Sequence, residues 1–142
     1  FVVLSPDWTL HATPESLRKL NDELVAIDPT YFHRGAGLIS DLPALLAQKL
    51  GDYDRAGTHF EESMRFKRKA GLRPYLAWTC FDYAEMLLGR TLTSTAAGSH
   101  EAGSVDRAKA VKLQDEALSI ARDLGMKPLV ERVIARKKIL KA

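Results

Sequence analysis

The residues best able to do chemistry in this chain are four histidines, one cysteine and a knot of carboxylates. His11, His33, His59 and His100 lie far apart, no two fall at ligand spacing on one helix face, and no second cysteine joins Cys80. A tetrahedral metal site needs such clustering, so no metal set is expected. Cys80 would be a nucleophile only as a thiolate, in an electropositive and partly open setting. Its surroundings, "AWTCFDY", are apolar and aromatic, so it reads as a buried, inert thiol. Asp52, Asp54, Glu61 and Glu62 could supply paired carboxylates for acid–base work, but they fall near the start of a helix, where negative charge complements the macrodipole. "HRGAG" at 33–37 lacks the Gly-Lys-Ser/Thr end of a phosphate loop and the spacing of a dinucleotide loop. The expectation is therefore no catalytic residue, no metal and no cofactor, and the chain reads as not an enzyme.

Charge narrows the partner classes. The formal net charge is +3, and the excess sits at the end, where Lys127, Arg132, Arg136, Lys137, Lys138 and Lys141 face only Glu131. At about 100° per residue these cations scatter around a helix instead of lining one stripe, and few aromatics accompany them. Phosphate binding wants a contiguous basic face, so nucleic acid is disfavoured as a partner, and the cations read as snorkelling charges flanking Leu129, Val133 and Leu140. No apolar run approaches the roughly 18 residues that span a bilayer, so no membrane is expected. A single cysteine makes no internal disulfide, which suits a reducing cytoplasm. The first residue is Phe1, not Met, and the chain reads as a piece of a longer polypeptide.

The elements that would carry these residues are helices. Thr13 and Pro14 form a cap and first turn for "ESLRKLNDELVAI", with Leu17, Leu20, Leu24 and Ile27 at helical spacing. Leu38 to Leu50 forms a second amphipathic segment in which Pro43 either starts the regular part or kinks it, and Gly51 ends it. Asp52 to Ala70 follows with Tyr53, Ala56, Phe60 and Met64 on one face. "PYLAWTCFDYAEMLL" is apolar on nearly every side, which predicts a helix covered on several faces, with Leu76, Trp78, Phe81, Ala84, Leu87 and Leu88 in the core. After Gly89, "RTLTSTAAGSHEAGS" shows no sustained period and reads as a flexible insertion at about 90–104. Val105 to Leu124 and Leu129 to Leu140 complete the series, and no stretch alternates as a strand does.

A long-range echo ties these helices together. Asp52, Ala56, Glu62, Ser63, Gly71 and Pro74 recur 54 positions later as Asp106, Ala110, Glu116, Ala117, Gly125 and Pro128. Gly suits a left-handed C-cap and Pro the first turn of the next helix, so the unit is helix, tight connection, helix. Small residues at 56, 63, 110 and 117 let helix axes approach to about 8–10 Å. Removing the insertion from the offset leaves a period of about 40 residues, within the range of helical-pair repeats.

The segment "KLGDYDRAGTHFEESM" resembles the second helix of a tetratricopeptide repeat, with Gly51, Tyr53, Ala56, Phe60 and Ser63 where that motif places glycine, tyrosine, alanine, an aromatic and alanine. "SVDRAKAVKLQDEALSIARDLGM" repeats it with Ala110 and Ala117, although Gln114 replaces the aromatic. "AGLRPYLAWTCFDYAEMLLGR" with its downstream partner is similar to repeats near the C-terminus of large bacterial signalling ATPases, namely nucleotide cyclases and ATP-binding transcription regulators. The resemblance implies an all-α fold of antiparallel helix pairs stacked as a short tetratricopeptide-like solenoid over 37–142, with 1–36 as an N-terminal extension carrying one helix. It implies a noncatalytic module that binds a protein or peptide, or other domains of its parent. Carrying the motif's groove positions across gives Leu38, Asp41, Leu45 and Gln48, then Leu76, Thr79, Tyr83 and Met86, then Val130, Val133 and Lys137. Such a groove is either open or filled by helix 15–27 or residues 1–10. The alternatives are a structural spacer or self-associating element, and a nucleic-acid-associated regulator using the basic last helix.

Overall fold

The computed structural model describes residues 13–16, 18, 19, 22, 41–96 and 100–141. Every regular element among them is helical. Five helices follow in order: α1 (Leu42–Lys49), α2 (Tyr53–Ala70), α3 (Arg73–Ala96), α4 (His100–Asp123) and α5 (Lys127–Lys141). Neighbours in sequence pack as pairs, α3 against α4 most extensively, so the described residues form an all-α stack of antiparallel helix pairs.

The joints follow from the sequence. Pro43 sits in the first turn of α1 and so starts the helix instead of kinking it. Gly71 ends α2 at φ 70°, a left-handed conformation in which a side chain would be strained. Its N–H reaches the Arg68 carbonyl at 3.3 Å, and the Leu72 N–H reaches the Lys67 carbonyl at 2.9 Å. The same pair of bonds recurs where α4 ends, from Gly125 to Arg122 (3.2 Å) and from Met126 to Ala121 (2.8 Å). Both joints are Schellman caps that satisfy the last carbonyls of a helix and turn the chain back at once. The repeated glycines thus do what their spacing predicts.

The echo of small residues is also realised in packing. Ala56, Ser63, Ala110 and Ala117 are all buried, beside Phe60, Met64, Leu76, Ala77, Tyr83, Leu87, Leu113, Leu129 and Val133. Trp78 and Phe81, expected in the core, are only partly buried and lie against its edge, ring edge to ring face at 6.4 Å.

Two further expectations meet the structure differently. The stretch read as a flexible insertion is helical at 90–96 and 100–104. Its polar side chains close on the helix itself: Thr91 donates to the Leu87 carbonyl (2.9 Å), Thr93 to Arg90 (2.8 Å) and Ser104 to Glu101 (2.8 Å). Helix packing overrides weak propensity here. In the N-terminal extension, residues 14–16, 18, 19 and 22 are helical, and Thr13 caps them by accepting from the Ser16 N–H at 3.2 Å. Asp22 pairs with Arg55 of α2 at 2.7 Å. Leu17, Leu20, Leu24, Ile27, Leu38 and the loop at 33–37 lie outside the described residues, as does the proposed filling of a groove by residues 1–10.

Candidate functional site

Two polar arrangements lie where α1 meets α3, one buried and one open. The buried one begins with Asp41. As the residue before α1 it would ordinarily cap that helix, yet it makes no capping bond. Its carboxylate turns inward instead, taking the Ser63 hydroxyl on Oδ1 at 2.5 Å and Lys67 Nζ on Oδ2 at 2.8 Å. Thr79 Oγ1 accepts from Lys67 at 2.5 Å and lies 2.8 Å from Asp41 Oδ2 and 2.9 Å from the Tyr75 carbonyl, one of which takes its single hydrogen. Lys67 and Thr79 are fully buried and Asp41 is 5% exposed, so the cluster has no approach for a substrate. Burial lowers the Lys67 pKa, and Asp41 opposes that shift by holding the ammonium charged. Although serine, lysine and aspartate could do acid–base chemistry, here they pin α1 to α2 and α3.

The open arrangement is a cleft of 320 Å³ lined by Leu42, Leu45, Leu46, Gln48 and Lys49 from α1 and by Asp82 and Glu85 from α3. Its floor is aliphatic and its far wall is acidic. Glu85 is engaged by Arg136 of α5, with contacts of 2.6 and 2.7 Å. No donor among the described residues hydrogen-bonds Asp82. Burial is the main reason its carboxyl is pushed up to about 6; the charges of Asp41 and Glu85 add to the shift, and those of Lys67 and Arg132 oppose it. Trp78, one turn before Asp82, carries the guanidinium of Arg132 5.5 Å from its ring centroid. The cleft side of α3 therefore runs through Trp78, Asp82 and Glu85 and reaches Gly89, where a methyl group would meet open space.

The described residues expected to line a groove fall on different surfaces. Leu45 and Gln48 do line the cleft, but Leu76 (5% exposed), Thr79, Tyr83 (4%) and Met86 face the interior, and so does Asp41. Val133 is buried and Val130 partly so, while Lys137 pairs with Asp115. On α3 the residues that face the cleft stand one position before those expected, a rotation of about 100°. The physical cause lies in the partners. Thr79 completes the Asp41–Lys67 pair, and Tyr83 stacks on Phe60 at 5.1 Å while its hydroxyl accepts from Lys109 at 2.9 Å. Asp82 and Glu85 have no such donors inside, and a carboxylate without a partner stays near water. The sequence did hold a signal for this face: Asp82 and Glu85 are the only charged residues between Pro74 and Gly89.

The candidates for chemistry sort simply. Cys80 is fully buried and its thiol is pushed up to about 12 by burial, so it is held as an unreactive thiol. Asp52 caps α2 through the Arg55 N–H at 3.1 Å, Asp54 pairs with Arg90, Glu61 with Lys109 and Glu62 with His59. Among the described residues no three His, Cys, Asp or Glu side chains gather as a metal site. Nor is any described helix long and apolar enough to cross a membrane. Arg132, Arg136 and Lys137, central to the nucleic-acid alternative, are each engaged by Trp78, Glu85 and Asp115 of this chain.

The chain matches no protein-family profile, no curated protein and no solved structure.

Proposed function

We propose that this chain is a noncatalytic protein-interaction module that takes a peptide segment in the cleft between α1 and α3. The observation that carries the reading is the cleft itself: an aliphatic floor of Leu42, Leu45 and Leu46, faced by two half-buried carboxylates. A volume of 320 Å³ is at the small end of ligand sites, which suits one or two side chains of a peptide better than a large cofactor. The likeness to tetratricopeptide repeats of bacterial signalling ATPases supports placing the module within a larger cytoplasmic regulatory protein, where the segment comes from a partner or from the parent chain.

A random-peptide display library panned against the chain tests this directly. Recovered peptides should bind the wild type and lose binding to Leu45→Glu, a variant whose circular dichroism should match the parent. Peptides that bind both equally, or no enrichment at all, would sink the reading.

A second reading, self-association as a spacer, rests on a different observation. Val105 at the start of α4 and Ile139 near the end of α5 are 65% and 64% exposed, and Arg107 bonding the Leu140 carbonyl at 2.9 Å brings these two ends together. If copies stack there, sedimentation equilibrium should show a mass that rises with concentration and becomes monomeric in Ile139→Lys.

A further inference from the structure

We infer that the cleft selects a peptide bearing a lysine or arginine flanked by apolar residues, the cation seated against Asp82 and the flanks on Leu42 and Leu45. The inference rests on the interaction reading above and adds the chemistry of the occupant.

The groups around Asp82 carry it. Glu85, one turn along, is already neutralised by Arg136. Asp41, behind it, is neutralised by Lys67 and hydrogen-bonded by Ser63. Lys49 stands at the cleft's edge with an exposed side chain, free to swing into water. Lys67 and Arg132 act on Asp82 through their charge, but neither hydrogen-bonds it. Asp82 is left as a carboxylate at the wall of an apolar recess, with its acceptor oxygens unused by any described residue. Three of the seven lining residues are leucines, so the environment is one in which a charge-assisted bond is stronger than in water. The complement of such a wall is a cation on a long aliphatic stem, because the stem covers the leucines while the head reaches the carboxylate. An acidic peptide would place like charges together and is rejected by the same geometry.

The carboxylate also costs the fold something. Held in a partly buried place without a donor, it destabilises the native chain at neutral pH, as groups kept for binding often do.

The test uses the full chain and two synthetic probes, acetyl-Leu-Arg-Leu amide and acetyl-Leu-Glu-Leu amide, followed by two-dimensional NMR. The arginine peptide should shift amides at Leu45, Gln48, Asp82 and Glu85 saturably, and the glutamate peptide should not. Asp82→Asn should weaken the arginine peptide by about tenfold, the scale of one charge-assisted bond. Binding should also weaken as pH falls below about 6, where the Asp82 carboxyl takes up its proton. Equal binding of both peptides, with Asp82→Asn inert, would overturn the cation preference and leave the cleft a peptide site. No saturable shift in the cleft with either peptide would overturn the interaction reading with it. If N-acetyl-arginine amide alone binds as tightly as the tripeptide, the site is one for a small cation and the peptide assignment falls.

Discussion

Asp41 and Asp82 stand on opposite sides of the same junction, and their surroundings could hardly differ more. Asp41 is buried and takes hydrogen bonds from Ser63 and Lys67, with the Thr79 hydroxyl beside it; Asp82 is partly exposed and takes none from the described residues. The first arrangement uses up its own chemistry and leaves nothing for a ligand. The second keeps unsatisfied acceptor capacity beside apolar surface, which is what recognition requires. A cluster rich in reactive residue types is therefore the structural one, and the poorer cleft is the candidate for function.

The sharpest way to break this contrast is to remove the buried cation. Lys67→Ala should destabilise the chain by about 3–5 kcal/mol in urea unfolding, because Asp41 is left charged and unpaired. Replacing both partners by apolar residues, Lys67→Met with Asp41→Leu, should recover most of that loss. A wild-type-like Lys67→Ala would show that the cluster pins nothing.

Next in size comes a pair of aromatics. Tyr83→Ala should cost about 3 kcal/mol or more, since it empties a buried site stacked on Phe60, whereas Trp78→Ala at the cleft edge should cost about half as much. The order follows from burial, and thermal unfolding of the two variants side by side would reverse it if the cleft edge were the true core.

Asp82→Asn tests the other side of the junction and should be stabilising. The folded chain holds the Asp82 proton up to about pH 6, above the ordinary 3.8, so the group's contribution is greatest below about pH 4 and is lost as pH rises through 6. Asparagine should therefore add about 1–2 kcal/mol at pH 7 and nothing at pH 4. A pH-independent difference would assign the effect to something other than the carboxylate.

The smallest expected effect is at Gly89, in the helix interior and facing open space on the cleft side. Gly89→Ala should stabilise by about 0.5–1 kcal/mol through helix propensity alone. A loss would mean that the face is covered.

The helices and their joints were largely legible in the sequence, because each rests on local rules: Thr13 as a cap, Gly71 and Gly125 as stops, with Pro43 left between a start and a kink until the structure placed it in a first turn. The small residues at 56, 63, 110 and 117 were legible for a related reason, since a repeat leaves its packing in the spacing. The site was less so. Leu45 and Gln48 line the cleft between α1 and α3, but the facing of α3 depends on which of its residues finds a buried donor. Thr79 turns in because Lys67 and Asp41 await it across two other helices, and no local pattern in "AWTCFDYAE" contains that fact. The 90–104 stretch shows the opposite relation: its composition is that of a linker, while 90–96 and 100–104 are helical where α3 pairs with α4.

The unequal lengths of the helices carry a mechanical consequence. Arg90 of α3 binds Asp54 at the start of α2 and Asp106 of α4, and Arg107 binds Leu140 at the end of α5. Past that line α2 has not begun and α5 has ended, yet α3 continues to Ala96 and α4 starts at His100. Six residues of α3 beyond Arg90 carry it about 9 Å past the level at which Arg90 joins α2 and α4. One guanidinium thus couples three helices at a single level, and Arg90→Ala should loosen α3 and α4 together, read as faster amide exchange on both sides of residue 90 and around Asp106.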